Sequence, residues 1–329
     1  MGFPLSILDL APVGTGESAT SAIASSVALA RAAEESGYQR VWYAEHHNMH
    51  AIMSSATSVL ISHVGAHTST IRLGAGGIML PNHAPLTIAE QFGTLAAMYP
   101  GRIDLGLGRA PGSDQNTMYA LRRDPRSADS FPQDVQELKG YLSGNTLVPG
   151  VNAYPGKDSN VPLYILGSSL FGAQLAAALG LPYAFASHFA PQALTQAVAL
   201  YRREYRPSEE NPEPYVIAGA NVLAADSAGE AAAELDVVRR QRARLLFGRG
   251  RNLTDAETDA LIASGAGQHL DEMMKYSAVG TPSEVREFLE GFRKEADADE
   301  LIVTHQASTV EGRLRSVRLT AEAMEQVSV

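Results

Sequence analysis

The sequence predicts a (β/α)8 TIM barrel that forms one domain over residues 1–329, with long insertions after the fourth and seventh strands. Two observations favour this fold class. Eight short apolar runs alternate with helical patterns along the chain, and no Pro- or Ser-rich linker divides them. Nearly continuous apolar strands that alternate with helices indicate a parallel sheet covered on both faces. Eight strand–helix units favour closure into a barrel over an open, doubly wound sheet.

The predicted strands are runs dominated by Val, Ile, Leu, Tyr and Ala, as expected for strands that are buried on both faces. Polar residues gather just after several of these runs. The runs are Pro4–Leu10, Arg40–Ala44, Arg72–Met79, Ile103–Leu107, Leu163–Leu166, Tyr183–Ala186, Tyr215–Leu223 and Leu301–Thr304.

Helical patterns fill the intervals between the runs. The first covers residues 18–36 and ends at Gly37, the residue type expected just after a helix. Thr281-Pro282-Ser283-Glu284 is a capping box with proline at the first helical position, so a helix begins there. The other predicted helices are 55–67, 86–99, 133–142, 171–180, 191–205, 227–246 and 311–326.

Two segments are too long to be simple connections between a strand and a helix. Ala110–Pro132 follows the fourth strand, and Phe247–Val279 precedes the capped helix. Long insertions in a compact domain are usually lids or binding loops. We therefore expect both segments to cover a binding site.

Composition and charge exclude several classes of function. The net charge is −10 without a basic stripe, which argues against nucleic acid or an anionic membrane as partner. The absence of cysteine excludes disulfides, zinc–thiolate sites and a thiol nucleophile. The first ten residues lack the basic region of a signal peptide, and the most apolar stretch, Leu170–Ala186, is interrupted by polar and helix-breaking residues. We expect a cytoplasmic protein.

Polar side chains and glycines gather where the predicted strands end. The carboxyl ends of barrel strands form the active-site face of this fold. These residues are Glu45, His46, His47, Gly76, Gly77, Arg109, Gly167, Ser168, Ser169, His188, His305 and Gln306, with Asn221 inside the seventh run.

The triplet Glu45-His46-His47 raises the question of a metal site. Adjacent residues on an extended strand point to opposite faces, so His46 and His47 cannot both bind one ion there. No second cluster with ligand spacing follows in the sequence. We therefore predict no metal, and we expect one of the two histidines to form hydrogen bonds or transfer protons at the site.

The third run carries glycines in the stretch Ile71–Pro81. Glycine inside a strand marks either a bulge that curves the barrel or a close approach of a ligand, and both interpretations stay open. Gly167–Gly172 follows the fifth run and enters a helix, whose free N–H groups favour an anion. With Arg109 from the neighbouring strand end, this segment predicts a phosphate site. Ser169 could instead be only the cap of its helix.

A second glycine pattern offers an alternative, a dinucleotide-binding fold. Residues 14–19, GTGESA, match the dinucleotide fingerprint after a strand and before a helix. Ala11-Pro12 separates the strand from these glycines, however, and this separation does not fit the fingerprint. We therefore favour the barrel over this alternative.

Five sequence blocks resemble the bacterial luciferase-like flavin monooxygenases, in particular the luciferase-like FMN-dependent oxidoreductases. The blocks are VWYAEHHN, IRLGAGGIMLPNHAP, GRIDLGLGRAPG, YILGSSLFGAQLAAALGLP and YSAVGTPSEV. The resemblance implies a (β/α)8 barrel, commonly a homodimer, that holds reduced FMN at the carboxyl ends of its strands. It implies His46 as the catalytic residue and a cis peptide bond between Gly76 and Gly77. The cofactor-binding residues that it implies are Ala75, Gly76, Gly77, Arg109, Gly167, Ser168, Ser169, Phe171 and Gly172.

The sequence departs from luciferase within the implied phosphate site. Luciferase has glutamate and threonine where this chain has Ser168 and Gly172, so backbone amides must carry more of the binding. The reactive thiol of luciferase has no counterpart in a chain without cysteine.

The resemblance implies a two-component monooxygenase that uses O2 and FMNH2, supplied by a separate flavin reductase, to oxidise a small organic substrate. Two alternatives remain at this point. One is hydride transfer with a deazaflavin coenzyme, and the other is a flavin-binding protein without catalytic activity.

Overall fold

Eight parallel strands close into a barrel in the order β1-β2-β3-β4-β5-β6-β7-β9, with β9 paired to β1 and β6 to β7. The computed structural model describes residues 2–14, 16–110, 114–248, 251 and 253–325. The predicted (β/α)8 fold is therefore confirmed. The strands of the described chain are β1 Leu5–Asp9, β2 Arg40–Tyr43, β3 Arg72–Met79, β4 Ile103–Gly108, β5 Leu163–Gly167, β6 Tyr183–Phe185, β7 Val216–Ala224, β8 Ser277–Gly280 and β9 Glu300–His305.

Helices surround the barrel and bury its apolar outer face. Thr281 and Glu284 form the predicted capping box, and Gly37 has a φ of +74° after the first helix, where glycine is favoured. In the described residues, no helix combines the length and hydropathy needed to cross a membrane. The helices are α1 Ala19–Glu35, α2 Thr57–Gly65, α3 Pro85–Met98, α4 Gln115–Ala120, α5 Phe131–Leu142, α6 Leu170–Leu179, α7 Leu194–Glu204, α8 Ala228–Phe247, α9 Asp255–Leu261, α10 Gly267–Met273, α11 Pro282–Glu295 and α12 Val310–Glu325.

The insertion after the seventh strand contains an additional strand that the sequence analysis did not predict. Strand β8 extends the sheet beside the upper half of β7, where Asn221 pairs with Ser277 and Ala224 with Gly280. It is only four residues long, which hides its pattern among the helical residues around it. Two short helices, α9 and α10, occupy much of the same insertion, and the other insertion contains α4.

A buried ionic cluster fills the amino-terminal end of the barrel interior. Arg40 forms paired contacts of 3.0 Å with both carboxylate oxygens of Glu300, and its Nη1 lies 2.8 Å from Asp104. Arg72 also binds Asp104, and Tyr164 accepts a hydrogen bond of 2.8 Å from Arg40. Two cations therefore face two carboxylates, so this end of the interior is electrically balanced.

Helix α8 lies across the carboxyl end of the barrel. Leu223, on the same face of β7 as the interior-facing Asn221, packs with Ala231 and Val238 of α8. Further along α8, Arg242 reaches Asn221 itself. The helix thereby forms one wall above the barrel mouth.

Candidate active site

Glu45 holds two histidines beside the end of β2. Its buried Oε1 lies 2.8 Å from Nε2 of His47 and 2.8 Å from Nε2 of His83, and its Oε2 accepts a bond of 3.0 Å from the Met79 amide. Burial opposes the charge of this carboxyl, but the hydrogen bonds from both histidines lower the pKa of Glu45. The hydrogen bond to Glu45 raises the pKa of His47. The described residues contain no cluster suited to a metal ion.

His46 points away from His47, to a different side of the chain. It lies two residues after Ala44, whose side chain belongs to the barrel interior, and this spacing directs His46 to the same side, toward the barrel mouth. There it is a neighbour of His188, which follows β6. Burial, the charge of Arg242 and the charge of His46 together lower the pKa of His188 to about 3. His188 is therefore neutral near pH 7.

The ring of His188 fits against a glycine of β7. A Cβ atom at Gly219 would lie 2.5 Å from Nδ1 of His188, so only glycine leaves room for the ring. That nitrogen is buried and forms no hydrogen bond with any residue that the structure describes. The His188 carbonyl accepts a bond of 2.8 Å from Asn221, which fixes the loop after β6 to the interior of β7.

Arg109 and Phe171 meet at the ends of β4 and β5. The guanidinium carbon of Arg109 lies 4.3 Å from the centre of the Phe171 ring, and its Nε donates to the Ala128 carbonyl at 3.3 Å. The guanidinium is exposed, and in the described part of the chain no carboxylate pairs with it. Arg109 thus remains available for an anion beside the start of α6.

The turn into α6 keeps its own donors free for a ligand. Ser169 is the N-cap residue, but its side chain forms no capping hydrogen bond, unlike those of Ser227 and Thr254. The first turn of α6 therefore presents N–H groups without partners from the cap. Gly172 lies close to Gly167, and a Cβ there would be 3.3 Å from the Tyr183 ring. Small residues thus let the helix start close to β5.

This arrangement fits a phosphate group. Within the described residues, Arg109 pairs with no carboxylate and the hydroxyls of Ser168 and Ser169 form no hydrogen bond. Arginine, hydroxyls and helix N–H groups are donors that bind phosphate in proteins. The flavin that the sequence implies carries such a phosphate. The structure therefore brings together Arg109, Gly167, Ser168, Ser169, Phe171 and Gly172.

The glycines of β3 have a packing role in the barrel wall. The peptide bond between Gly76 and Gly77 is cis, and the pairing with β4 shifts register between Ala75 and Ile78. A Cβ at Gly76 would lie 2.8 Å from Leu8, and one at Gly77 would lie 2.7 Å from the Gly106 carbonyl. The predicted bulge is therefore present, and a ligand is not needed to explain these glycines.

The side chains of two residues predicted for the site, Ala75 and His305, face the surrounding helices and not the barrel mouth. The Ala75 side chain packs among the apolar residues under the helices, so only its backbone is left for a cofactor. His305 binds Ser316 of α12 at 2.9 Å and faces away from the interior, and burial lowers its pKa to about 3. Gln306, the next residue, does reach the mouth.

The alternative interpretation of residues 14–19 as a dinucleotide-binding site is wrong. The backbone N–H of Gly14 donates to the Glu17 carboxylate at 2.9 Å, and a Cβ at Gly14 would lie 2.9 Å from that carboxyl group. A carboxylate therefore occupies the place where a pyrophosphate would bind. Thr15, within the fingerprint, lies outside the described residues.

A cavity of about 960 Å³ lies beside the barrel, between the second insertion and helices α7 and α11. None of its lining residues is a predicted site residue. Its charges include two ion pairs, Arg239 with Asp271 at 2.8 Å and Lys275 with Glu295 at 3.6 Å. We therefore place the candidate site at the mouth, where Arg109 and Arg242 pair with no carboxylate among the described residues.

Two residues of the site, His83 and Arg242, give no recognisable signal in the sequence. His83 follows a short 3-10 helix after β3 and gives no periodic signal, although it lies in one of the five family blocks. Arg242 stands among four arginines of α8, and their spacing alone does not reveal which of them faces the mouth.

Comparison with known proteins identifies the family of this chain. A family model described as luciferase-like monooxygenase matches residues 3–299. A luciferase-like monooxygenase of Escherichia coli is 46% identical, over 98% of this chain and 97% of that protein. An N-acetyl-S-alkylcysteine monooxygenase of Bacillus subtilis is 34% identical, over 87% of each chain.

Solved structures share the barrel. The crystal structure of apo-MsnO8 has a TM-score of 0.90 and 35% identity, covering 99% of this chain and 100% of that one. The FMN complex of a 3,6-diketocamphane monooxygenase from Pseudomonas putida and an F420-dependent secondary alcohol dehydrogenase each have a TM-score of 0.73. The camphane monooxygenase is 14% identical and covers 100% of this chain and 99% of its own. The dehydrogenase is 17% identical and covers 100% of both chains. At these identities, the two structures share only the fold with this chain. By sequence and by structure, this chain belongs to the luciferase-like monooxygenase family.

Proposed function

We propose that this chain is an FMN-dependent monooxygenase that oxidises a small organic substrate with O2. A separate flavin reductase supplies its FMNH2, and the protein acts in the cytoplasm as a homodimer of one-domain barrels. The observation that carries the proposal is the exposed guanidinium of Arg109, stacked on Phe171 beside the uncapped first turn of α6. FMN has a terminal phosphate that suits this donor set, whereas riboflavin has none.

Different residues at the mouth bind the flavin phosphate and transfer protons. Arg109, Ser168, Ser169 and the first turn of α6 bind the phosphate and so fix the orientation of the flavin. Reduced FMN supplies the electrons that activate O2. Helix α8 forms a wall above the mouth and limits the access of water to the reacting atoms.

His46 is the proposed proton-transfer residue, since its neighbour His188 does not suit that role. A general base works best when its pKa lies near the working pH. The pKa of His188, about 3, is too low for this, so His188 acts as a neutral hydrogen-bonding group. His47 is held by Glu45 on the other side of the strand. His46 lies beside His188 at the mouth, and the resemblance implies a catalytic role for it, so we assign proton transfer to His46.

Hydride transfer with coenzyme F420 is the second candidate, because an F420-dependent dehydrogenase shares this barrel. The two functions differ in the cofactor that supports turnover. The Bacillus relative acts on an N-acetyl-S-alkylcysteine, and we propose a substrate of comparable size here.

The test measures binding and turnover with each cofactor in parallel. Purified protein is titrated with FMN, FMNH2 and reduced F420, and then supplied with a flavin reductase, NADH, 18O2 and a panel of small thioethers, ketones and aldehydes. We expect FMN species to bind and the product to carry one 18O atom. Turnover with reduced F420 but not with FMNH2, or no flavin binding at all, would contradict the proposal.

A further inference from the structure

Arg242 stands at the barrel mouth, and within the part of the chain that the structure describes it is held only by neutral groups. Its Nη2 donates to Oδ1 of Asn221 at 3.0 Å and to Oε1 of Gln306 at 2.8 Å. Both acceptors extend from the interior face of the barrel, from β7 and from the residue after β9. Within the described ranges, no carboxylate forms an ion pair with this arginine.

The other arginines nearby on α8 do have carboxylate partners. Arg239 binds Asp271 at 2.8 Å, Arg240 binds Asp259 at 2.6 Å, and Arg244 binds Asp255. All three partners belong to the insertion that packs against α8. Arg242 alone among these four points to the mouth and lacks a counter-ion in the described chain.

The neutral acceptors are themselves fixed, so Arg242 has a defined position. Asn221 donates to the His188 carbonyl at 2.8 Å, and its Oδ1 accepts a bond of 2.9 Å from Thr304. Gln306 also donates to Thr304. Only Nη2 of the guanidinium is used in these contacts. The remaining N–H groups keep the geometry that binds a carboxylate with two parallel hydrogen bonds.

The electrostatics favour an anion at the same place. Burial lowers the pKa of Arg242 to about 10, so the group is still charged at neutral pH but lacks most of its hydration. His46 and His188 add no negative charge around it. A cation that is partly removed from water is stabilised by an anion more strongly than an exposed one.

We propose that Arg242 binds the carboxylate of the substrate, so that the substrate class is a small organic acid. This inference rests on the proposed monooxygenase function. Leu245 and Leu246 are exposed three and four positions further along α8, on the side of the helix that carries Arg242. Phe189 is exposed beside His188. The acid therefore has an apolar portion that contacts these side chains.

The flavin phosphate does not compete for this position. Arg109 and Ser168 follow β4 and β5, whereas Asn221 and Gln306 belong to β7 and the end of β9. In the closed order of strands, β4 and β9 lie on opposite sides of the barrel. One arginine thus serves the cofactor and the other the substrate.

The experiment uses the FMN-saturated protein and matched pairs of probes. Butanoate, hexanoate and N-acetylmethionine are compared with their carboxamides by calorimetric titration, and the same titrations are repeated without FMN. The variants are Arg242→Gln, Arg242→Lys and, as a control on the same helix, Arg239→Gln. Thermal midpoints and the Kd for FMN are measured for every variant.

We expect at least one carboxylate to bind at least about tenfold more tightly than its carboxamide. Arg242→Gln should weaken the binding of carboxylates by about tenfold or more, which corresponds to the loss of one charge-assisted hydrogen bond. The affinity for the carboxamides should not change. Arg242→Lys should retain part of the preference for carboxylates over carboxamides, and Arg239→Gln should retain the whole preference. The Kd for FMN should change by less than about twofold in all three variants.

Three results would overturn the inference while leaving the proposed function intact. They are equal binding of carboxylates and carboxamides, unchanged carboxylate affinity in Arg242→Gln, and loss of FMN affinity in that variant without loss of carboxylate affinity. Absence of binding by every carboxylate would overturn it as well. Failure of FMN to bind the unmodified protein would instead contradict the proposed function.

Discussion

Replacement of Arg109 by alanine tests the phosphate site directly. The Arg109 guanidinium is exposed and pairs with no carboxylate in the described structure, so its removal leaves no buried charge behind. The loss is then confined to its contacts with the ligand. Hydrogen bonds that involve a charged group contribute about 1.5–3 kcal/mol, and solvent exposure favours the lower end of that range. A loss of about 1.5 kcal/mol corresponds to an affinity for FMN that is roughly tenfold weaker.

Riboflavin provides the matched ligand, since it has the same ring system but no phosphate. We expect Arg109→Ala to weaken the binding of riboflavin by less than about twofold, because the Phe171 ring that stacks on Arg109 remains in place. Both affinities are measured by quenching of flavin fluorescence. Arg126→Ala is the control: Arg126 is an exposed arginine of the insertion that follows Arg109, and it already pairs with Asp124 at 3.2 Å.

The comparison of the two ligands decides the outcome. A loss that is specific to FMN assigns Arg109 to the phosphate. An equal loss for FMN and riboflavin would remove Arg109 from the phosphate site, and an unchanged Kd for FMN would exclude any contact with the flavin.

Three further predictions concern proton transfer, stability and pH. His46→Ala should preserve the Kd for FMN and lower kcat, as measured by substrate-dependent product formation; full activity would exclude the proposed role of His46. Arg40→Met should lower the free energy of unfolding by about 3–5 kcal/mol in urea denaturation, because it leaves an unpaired carboxylate buried. Adding Glu300→Gln should recover more than half of this loss, and no recovery would show that charge balance is not the cause. The contribution of the Glu45–His47 pair to the free energy of unfolding should be greatest between about pH 4.3 and 6.5. Because the pKa of Glu45 is lowered and that of His47 is raised, this contribution decreases at pH values below that range and at pH values above it. The difference in thermal midpoint between the unmodified protein and Glu45→Gln, measured from pH 4 to 8.5, checks this, and a difference that does not vary with pH would contradict it.

The fold could be predicted because its signal is repeated along the chain. Apolar runs that alternate with helical patterns specify parallel strands, and local signals such as the Thr281 capping box and Gly37 fix individual helix ends. Strand β8 escaped prediction because four residues carry too little periodicity. A short run beside a capping box fits a loop as well as a strand.

Part of the site could be predicted because the strand ends of a barrel converge on one face. This rule brought Arg109 and the Gly167–Gly172 segment together before any contact was known. It did not identify the orientation of side chains near the strand ends. His305 points outward to Ser316 and Gln306 inward, although the two are adjacent. Alternation explains the difference only when the exact register of β9 is known.

Arg242 could not have been assigned from the sequence, because its importance depends on which partners it lacks. The stretch from Arg239 to Arg244 predicts a solvated basic helix face, and three of its four arginines do pair with acidic residues of the insertion. A missing partner is a property of three-dimensional packing. No rule of spacing reports it.

The two ends of the barrel interior differ in how their charges are compensated. At the amino-terminal end, Arg40 and Arg72 face Asp104 and Glu300, so the cations there have permanent partners within the chain. At the carboxyl end, Arg109 and Arg242 have none among the described residues, although the chain as a whole has a net charge of −10. Acidic residues are thus abundant but do not pair with these two arginines. Substitutions at the amino-terminal end should therefore change the free energy of unfolding, and those at the mouth should change which anions bind.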